Sequence, residues 1–189
     1  IVHKDINPSN IVFNSKTAEV KLIDFGLASV LTQEITSFVH PKLLAGTLPY
    51  LSPEQTGRMN RPVDYRSDFY ALGVTFYELL TGQLPFQAND ALEWVHHHIA
   101  SQPVHPSKVK RDVPEAITQI ILKLMAKTPE ARYQSAAGLQ ADLARCWADW
   151  QAGHSIPTFE LAQRDYCDRF QLSKKLYGRE QEIATLQTI

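Results

Sequence analysis

Three oxygen-bearing side chains stand within the first two dozen positions: Asp5, Asn10 and Asp24. Asp5 and Asn10 flank a loop that enters a short β-rich run, Ile11 to Phe13, and Asp24 follows a second such run, Val20 to Ile23. Asn14, Ser15, Lys16 and Thr17 lie between the runs and are turn-prone, so the pair reads as a hairpin. A hairpin returns Asp24 toward the Asp5–Asn10 loop, where two carboxylates and one amide could converge. Oxygen ligands of this kind suit Mg²⁺, which keeps several waters and shares its coordination with substrate phosphates. Phosphoryl transfer asks mainly for positioning and charge neutralisation, plus a carboxylate to orient the incoming hydroxyl.

The elements that must hold these groups are unevenly distributed. The first residues look buried and strand-like, so the chain is expected to begin in mid-domain. From Ala28 to Pro62 there is no sustained hydrophobic period, and loops of that length tend to be functional or disordered. Helices follow. Phe69 to Leu80 is apolar nearly all the way round and reads as a helix buried on every side, stopped by Gly82. Asp90 to Ala100 is a second helix, capped by Asn89 or Asp90. Glu115 to Ala126 places Ile117, Ile120, Ile121 and Leu124 on one face, with Pro114 in its first turn. Ala136 to Gln151 repeats the pattern through Leu139, Leu143, Trp147 and Trp150. The expected class is α+β: a small hairpin, a long loop, then a helical body.

Composition narrows the function. The 189 residues are 44% hydrophobic and 21% charged, with 19 Lys and Arg against 20 Asp and Glu. A formal charge of −1 gives no basic face for nucleic acid or an anionic membrane. The Phe69–Leu80 run carries Glu78 and is too short to span a bilayer. Cys146 and Cys167 make no metal-ligand spacing and no disulfide framework, which points to a reducing, cytoplasmic setting.

His3-Lys4-Asp5-Ile6-Asn7-Pro8-Ser9-Asn10 resembles the catalytic loop of the eukaryotic-type Ser/Thr protein kinases. Asp24-Phe25-Gly26 is similar to their magnesium-binding turn. Gly46-Thr47 followed by Ser52-Pro53-Glu54 is similar to the end of their activation segment, with Ser52 where Ala is usual. Asp68 with Ala71-Leu72-Gly73-Val74 resembles the start of their central helix, and Arg132 in Thr128-Pro129-Glu130-Ala131-Arg132-Tyr133 the late arginine of their helical lobe. Five motifs in order, over residues 1 to about 150, make the resemblance specific to the C-terminal lobe.

The resemblance implies roles. Asp5 would orient or accept the proton of the substrate hydroxyl. Asn10 and Asp24 would hold Mg²⁺ against the phosphates of ATP, and Val12 and Ile23 would line the adenine pocket. His3 and Phe25 would stack in the core that links the lobes. Glu54 and Arg132 would form a buried ion pair, and Asp68 would receive backbone N–H groups of the catalytic loop. Thr47 would face Asp5 and mark a Ser/Thr enzyme; Thr32, Thr36 and Ser37 are available phosphoacceptors in the activation segment. The implied substrate is a protein with a Ser or Thr hydroxyl.

Two positions depart from the family. Lys4 stands where Arg is common, and lysine is a poorer bidentate partner for a phosphorylated loop. Asn7 stands where a lysine usually neutralises the transferring phosphate, which weakens electrostatic stabilisation. The alternative is therefore a pseudokinase-like module that binds nucleotide or a partner. The family's N-terminal lobe, with its Gly-rich loop, ATP-binding lysine and helix-borne glutamate, has no counterpart in these residues. The fragment alone is expected to be inactive.

The expected domains are residues 1–152 as the kinase lobe, 153–172 as a linker, and 173–189 as the start of another module. Leu176-Tyr177-Gly178-Arg179-Glu180 resembles the opening of an AAA-type ATPase module, as found after the kinase domain of large bacterial, notably cyanobacterial, signalling proteins. The implied partners are the chain's own N-lobe and downstream ATPase or sensor domains. Several features have plainer readings. His96, His97 and His98 read as partly exposed, because consecutive helix residues point in three directions. Trp147 and Trp150 read as core, Cys146 as a small buried apolar residue, and Lys123 and Lys127 as a solvated face. Asn7 would contact phosphate or brace its loop.

Overall fold

The structure, a computed structural model, describes residues 1–30 and 48–166. Strand β1 (Ile11–Asn14) pairs antiparallel with β2 (Glu19–Leu22), Ile11 opposite Leu22 and Asn14 opposite Glu19. In the turn, Lys16 N–H donates to the Asn14 side-chain oxygen at 3.0 Å, and Ala18 takes a left-handed φ of 55°. Two strands alone have little independent stability. This hairpin is tied at its open end, where Ile23 N–H donates to Asn10 O at 2.9 Å. Below it Val2 and Ser29 exchange two backbone bonds of 2.9 Å, so the opening residues are strand-like, with Val2 and His3 buried.

The helical body is built on α1 (Arg66–Thr81). Tyr70, Val74 and Tyr77 form a core with Phe86, Ile121 and Met125. Gly73 permits the close approach of α1 to the helix that ends at Leu124: a Cβ there would stand 2.8 Å from Leu124 Cβ and 2.9 Å from Met125 Cγ. Gly82 ends α1 with φ 75°, its N–H donating to Glu78 O at 2.8 Å. The helix is not buried on every side, since Leu79 is 62% exposed; an isolated apolar residue on a surface is ordinary.

Helix α2 (Ala91–Ala100) is capped by Asp90, which accepts Glu93 N–H at 2.8 Å. The short α3 (Pro106–Val109) has no hydrophobic period to announce it. Helix α4 (Glu115–Leu124) follows Pro114, which occupies the cap instead of the first turn. Helix α5 (Ala136–Gly153) starts at Ser135, whose side chain accepts Gly138 N–H at 2.9 Å.

The buried side of α5 is Leu139, Asp142 and Cys146, while Trp147 and Trp150 are 61% and 42% exposed. That corrects their assignment to the core. A polar residue holds the inward position: Asp142 accepts Tyr133 Oη at 2.6 Å and Ala162 N–H at 2.8 Å. Counting apolar residues alone therefore rotates the helix the wrong way. Within the stretch whose composition reads as a linker, Ile156, Phe159, Leu161 and Ala162 lie against the core of Ile120, Leu124, Tyr133 and Leu139. Asp165 accepts Gln134 N–H (2.7 Å), Ser135 N–H (2.8 Å) and Ser135 Oγ (2.8 Å) at the start of α5.

The three histidines occupy three environments: His96 is exposed, His97 half-buried and His98 fully buried. His98 is thus a core residue, not a partly exposed one. Among the described residues no three His, Cys, Asp or Glu side chains are grouped to hold a metal. A neutral ring satisfies both its neighbours, with Nε2–H donating to Leu48 O at 2.8 Å and Nδ1 accepting Tyr70 Oη at 3.0 Å. Lys127, expected on a solvated face, is instead half-buried over the Phe86 ring at 4.8 Å, its Nζ donating to His97 O at 3.0 Å. Burial, helped by the Arg132 charge, lowers its pKa to about 8.

Burial, reinforced by the nearby Lys127 charge, pushes the His98 pKa from 6.5 down to about 4, although the bond to Leu48 O opposes the shift. Between those values the unfolded ring binds a proton that the folded ring refuses, so stability falls as pH drops from 6.5 toward 4. The full loss is on the order of 3 kcal/mol. Urea midpoints at pH 7 and pH 4.5 should diverge less in His98→Gln than in the wild type; an unchanged pH dependence would rule out His98 as the source.

Candidate active site

The loop before β1 is organised around one carboxylate. Asp5 Oδ1 accepts Asn7 Nδ2 at 2.9 Å, and Asp5 Oδ2 accepts Asn10 Nδ2 at 3.0 Å. Both amides also donate to Asp5 O, at 3.2 and 2.9 Å. Asn7 Oδ1 accepts Ser9 N–H at 2.9 Å and so caps the 3-10 turn Pro8–Asn10, where Pro8 stands in the first turn. Asn7 and Asn10 are buried. Each carboxylate oxygen thus has an amide donor, which sets the orientation of Asp5. Asn7 thus bonds within the loop through both its nitrogen and its oxygen.

Asp24 reaches this loop through its neighbour. Ile23 N–H is bonded to Asn10 O, and Ile23 O lies 3.1 Å from His3 Nε2. Asp24 then turns with φ 60°, uncommon for a residue with a Cβ and often found at functional sites. Its Oδ1 accepts Gly26 N–H at 3.2 Å. Phe25 meets His3 edge-on, with ring centroids 4.7 Å apart, so the expected stack is a T-shaped contact. Val12 and Ile23 are both substantially exposed on the hairpin.

Two anchors hold the loop to the helical body. Asp68 on α1 accepts His3 N–H at 2.7 Å and Lys4 N–H at 2.8 Å. Burial raises its pKa despite these two donors and the His3 ring. The second anchor is the buried pair Glu54–Arg132: Arg132 Nη1 donates to Glu54 Oε1 at 2.7 Å and Nη2 to Oε2 at 2.8 Å. Ser67 Oγ adds a bond of 2.6 Å to Oε1. Arg132 also donates to Ala126 O and Arg66 O, each at 2.8 Å, and to Lys127 O at 3.3 Å. Burial pushes the Glu54 pKa up, but the Arg132 bonds and charge, with Ser67, outweigh it and leave it lowered.

Three participants had no signal in the sequence reading. Ser67 completes the Glu54 carboxylate, Gln55 Nε2 donates to Lys4 O at 3.0 Å, and Arg66 pairs with Asp64 at 2.7 Å while donating to Gln134 Oε1 at 2.9 Å. These contacts, Arg66–Asp64 apart, join residues 13 to 68 positions apart, so no local pattern exposes them. Thr32, Thr36, Ser37, Thr47, Cys167 and the Leu176–Glu180 phrase lie outside the described residues.

An α-rich body with one small antiparallel hairpin, carrying its polar loop at the hairpin's root, has the architecture of a protein kinase C-terminal lobe. The chain belongs to the protein kinase domain family, whose model matches residues 1–143. It is similar to the serine/threonine-protein kinase PknB of Mycolicibacterium smegmatis, 41% identical over 145 residues, or 77% of this chain and 23% of that protein. PknB of Mycobacterium tuberculosis strain H37Rv is 39% identical over 145 residues, with the same 77% and 23% coverage. The hybrid signal transduction histidine kinase G of Dictyostelium discoideum is 38% identical over 162 residues, 75% of this chain and 5% of that protein. The chain therefore spans less than a quarter of the length of these relatives. Protein kinases as a class work with ATP and Mg²⁺.

Proposed function

We propose that this chain supplies the catalytic loop, metal-binding turn and helical body of a protein kinase that phosphorylates Ser or Thr hydroxyls of protein substrates. The observation that carries the reading is the Asp5 carboxylate held on both oxygens by Asn7 and Asn10, with Asn10 O bonded to the residue that precedes Asp24. A general base must be aimed before its pKa matters, and Asp5 is aimed by amides that donate without carrying a charge. In this reading Asp5 orients the acceptor hydroxyl and takes its proton.

The donor set fits a hard cation. Asn10 commits its nitrogen to Asp5, which leaves its Oδ1 as the atom that would face a cation, and Asp24 would offer a carboxylate oxygen. Bound there, Mg²⁺ would neutralise charge on the phosphates of ATP. Val12 and Ile23 offer apolar surface for the adenine ring. His3 and Phe25, Asp68, and the Glu54–Arg132 pair position these groups. Thr47 is proposed to sit beside Asp5, with Thr36 and Ser37 as activation-segment acceptors. Asn7 supplies no charge to the transferring phosphate, so a modest turnover is expected.

The proposed division is 1–152 as the lobe, 153–172 as a connecting stretch whose Ile156, Phe159, Leu161 and Ala162 pack on that lobe, and 173–189 as the opening of an AAA-type ATPase module of a multi-domain signalling protein. The likeness to a hybrid signal transduction histidine kinase supports a multi-domain setting. No described helix is long and apolar enough to cross a membrane.

The test is nucleotide binding by the full-length protein. Asp24→Ala should weaken calorimetric affinity for a non-hydrolysable ATP analogue in Mg²⁺ by about tenfold or more, with little change in EDTA, as expected when one of few charged ligands is lost. An unchanged Mg²⁺-dependent affinity would remove Asp24 from the metal site.

A further inference from the structure

Lys4, the residue before Asp5, has φ 70°, a backbone conformation that a side chain with a Cβ disfavours and that persists only where its surroundings impose it. Two restraints act on it from opposite sides. Its N–H is held by Asp68 of α1 at 2.8 Å. Its carbonyl, which belongs to the same peptide unit as the Asp5 N–H, accepts Gln55 Nε2 at 3.0 Å. Gln55 lies in the 3-10 turn Glu54–Thr56, next to the residue paired with Arg132.

The Gln55 amide is itself oriented. Its Oε1 accepts Ser52 N–H at 3.0 Å and Ser52 Oγ at 2.8 Å, and Ser52 is fully buried. With the oxygen placed by two donors, the nitrogen must face Lys4 O. A flipped amide would set oxygen against oxygen at Lys4 and nitrogen against two donors at Ser52. Only a side chain that accepts at one atom and donates at the next serves both ends.

We infer that Gln55 is a positioning residue: by holding the Lys4–Asp5 peptide plane it sets the direction from which the Asp5 carboxylate leaves the backbone. The inference rests on Asp5 being the catalytic carboxylate. Gln55 touches no reacting atom in this account and acts through the peptide alone. It also makes the geometry of Asp5 depend on the turn that Glu54 and Arg132 secure.

The test is steady-state kinetics of the full-length protein with ATP and a Ser/Thr peptide, alongside thermal melting. Gln55→Met keeps size and removes both polar ends. It should lower kcat about tenfold, within the 10²-fold that roughly 1 Å of misplacement costs, while KM for ATP and peptide stays within about twofold. Gln55→Glu keeps the acceptor for Ser52 and loses the donor for Lys4 O. Its kcat, taken as a ratio to wild type at each pH, should be equally low at pH 7.5 and recover on acidification, when the carboxyl gains a proton to donate. Ser52→Ala, which removes one of two bonds to Oε1, should cost only about two- to threefold. Wild-type kcat in the Met and Glu variants would overturn the inference. So would a Glu-variant deficit that is flat in pH and simply follows the loss of melting temperature. If the Met variant does not fold, the Glu pH profile and Ser52→Ala still decide. Full turnover in Asp5→Asn would defeat the underlying reading of Asp5 and this inference with it; loss there with none in the Gln55 variants defeats this inference alone.

Discussion

Asp5→Asn in the full-length protein is expected to lower kcat for phosphoryl transfer by about 10²–10⁴-fold, the range that a positioned general base contributes. The substitution preserves size and keeps one oxygen to accept from Asn7 or Asn10, so the loop retains part of its network. It places an amide nitrogen opposite the other donor, which loosens one of the bonds of 2.9 and 3.0 Å now made to the carboxylate. Affinity for Mg²⁺-nucleotide should change little, because the proposed ligand atoms belong to Asn10 and Asp24. Quenched single-turnover assays with labelled ATP separate the chemical step from binding. Retained turnover, or a loss confined to KM, would remove Asp5 from the chemistry.

Arg132→Met is expected to cost stability on the order of 3–5 kcal/mol, because it leaves a buried carboxylate without its cation. Glu54 is 1% exposed and would keep only Ser67 Oγ as a side-chain partner among the bonds now made to it. Arg132 also donates to Ala126 O, Arg66 O and Lys127 O, so three backbone acceptors each lose that bond. The pH dependence carries the sign of the effect. In the wild type the pair holds the Glu54 pKa below its ordinary value, so its contribution is present above about pH 4.5 and is lost as pH falls through the lowered pKa. In Arg132→Met the guanidinium bonds and charge are gone and burial, the largest cause, is opposed only by Ser67 and a backbone bond, so the pKa rises; acidification then lets Glu54 take up a proton and narrows the deficit. Urea unfolding at pH 7.5 and pH 5 measures this, and adding Glu54→Gln should recover part of the loss at pH 7.5. A cost below about 1 kcal/mol would mean that the pair contributes no more than an exposed bridge.

The parts of the fold that were legible in the sequence are those with local causes. The hairpin follows from two β-rich runs around turn residues, and Gly82 stops α1 because a residue without a Cβ takes the left-handed φ of the cap freely. The Asp5 network is equally local, since Asn7 and Asn10 lie two and five positions away. What escaped depends on polar groups that enter the core with a distant partner. Asp142, satisfied by Tyr133 and Ala162, takes the inward place on α5 that apolar counting gave to Trp147. His98 is buried because Leu48 O and Tyr70 Oη meet its two nitrogens, 50 and 28 positions away. Lys127 lies over the rings of Tyr70 and Phe86, which come from earlier, distant parts of the chain. Gln55 bonds to Lys4 across 51 positions, and nothing in its neighbours announces that bond.

The most direct measurement is the position of the cation. Crystals of the full-length protein grown with Mn²⁺ in place of Mg²⁺ and a non-hydrolysable ATP analogue would locate the metal by its anomalous signal. The account predicts one manganese bonded to Asn10 Oδ1 and an Asp24 carboxylate oxygen at about 2.1–2.2 Å, near the distance Mg²⁺ takes to oxygen, with Asp5 turned toward the terminal phosphate. Manganese bound away from both side chains, or nucleotide seated elsewhere with Asp5 facing solvent, would contradict it.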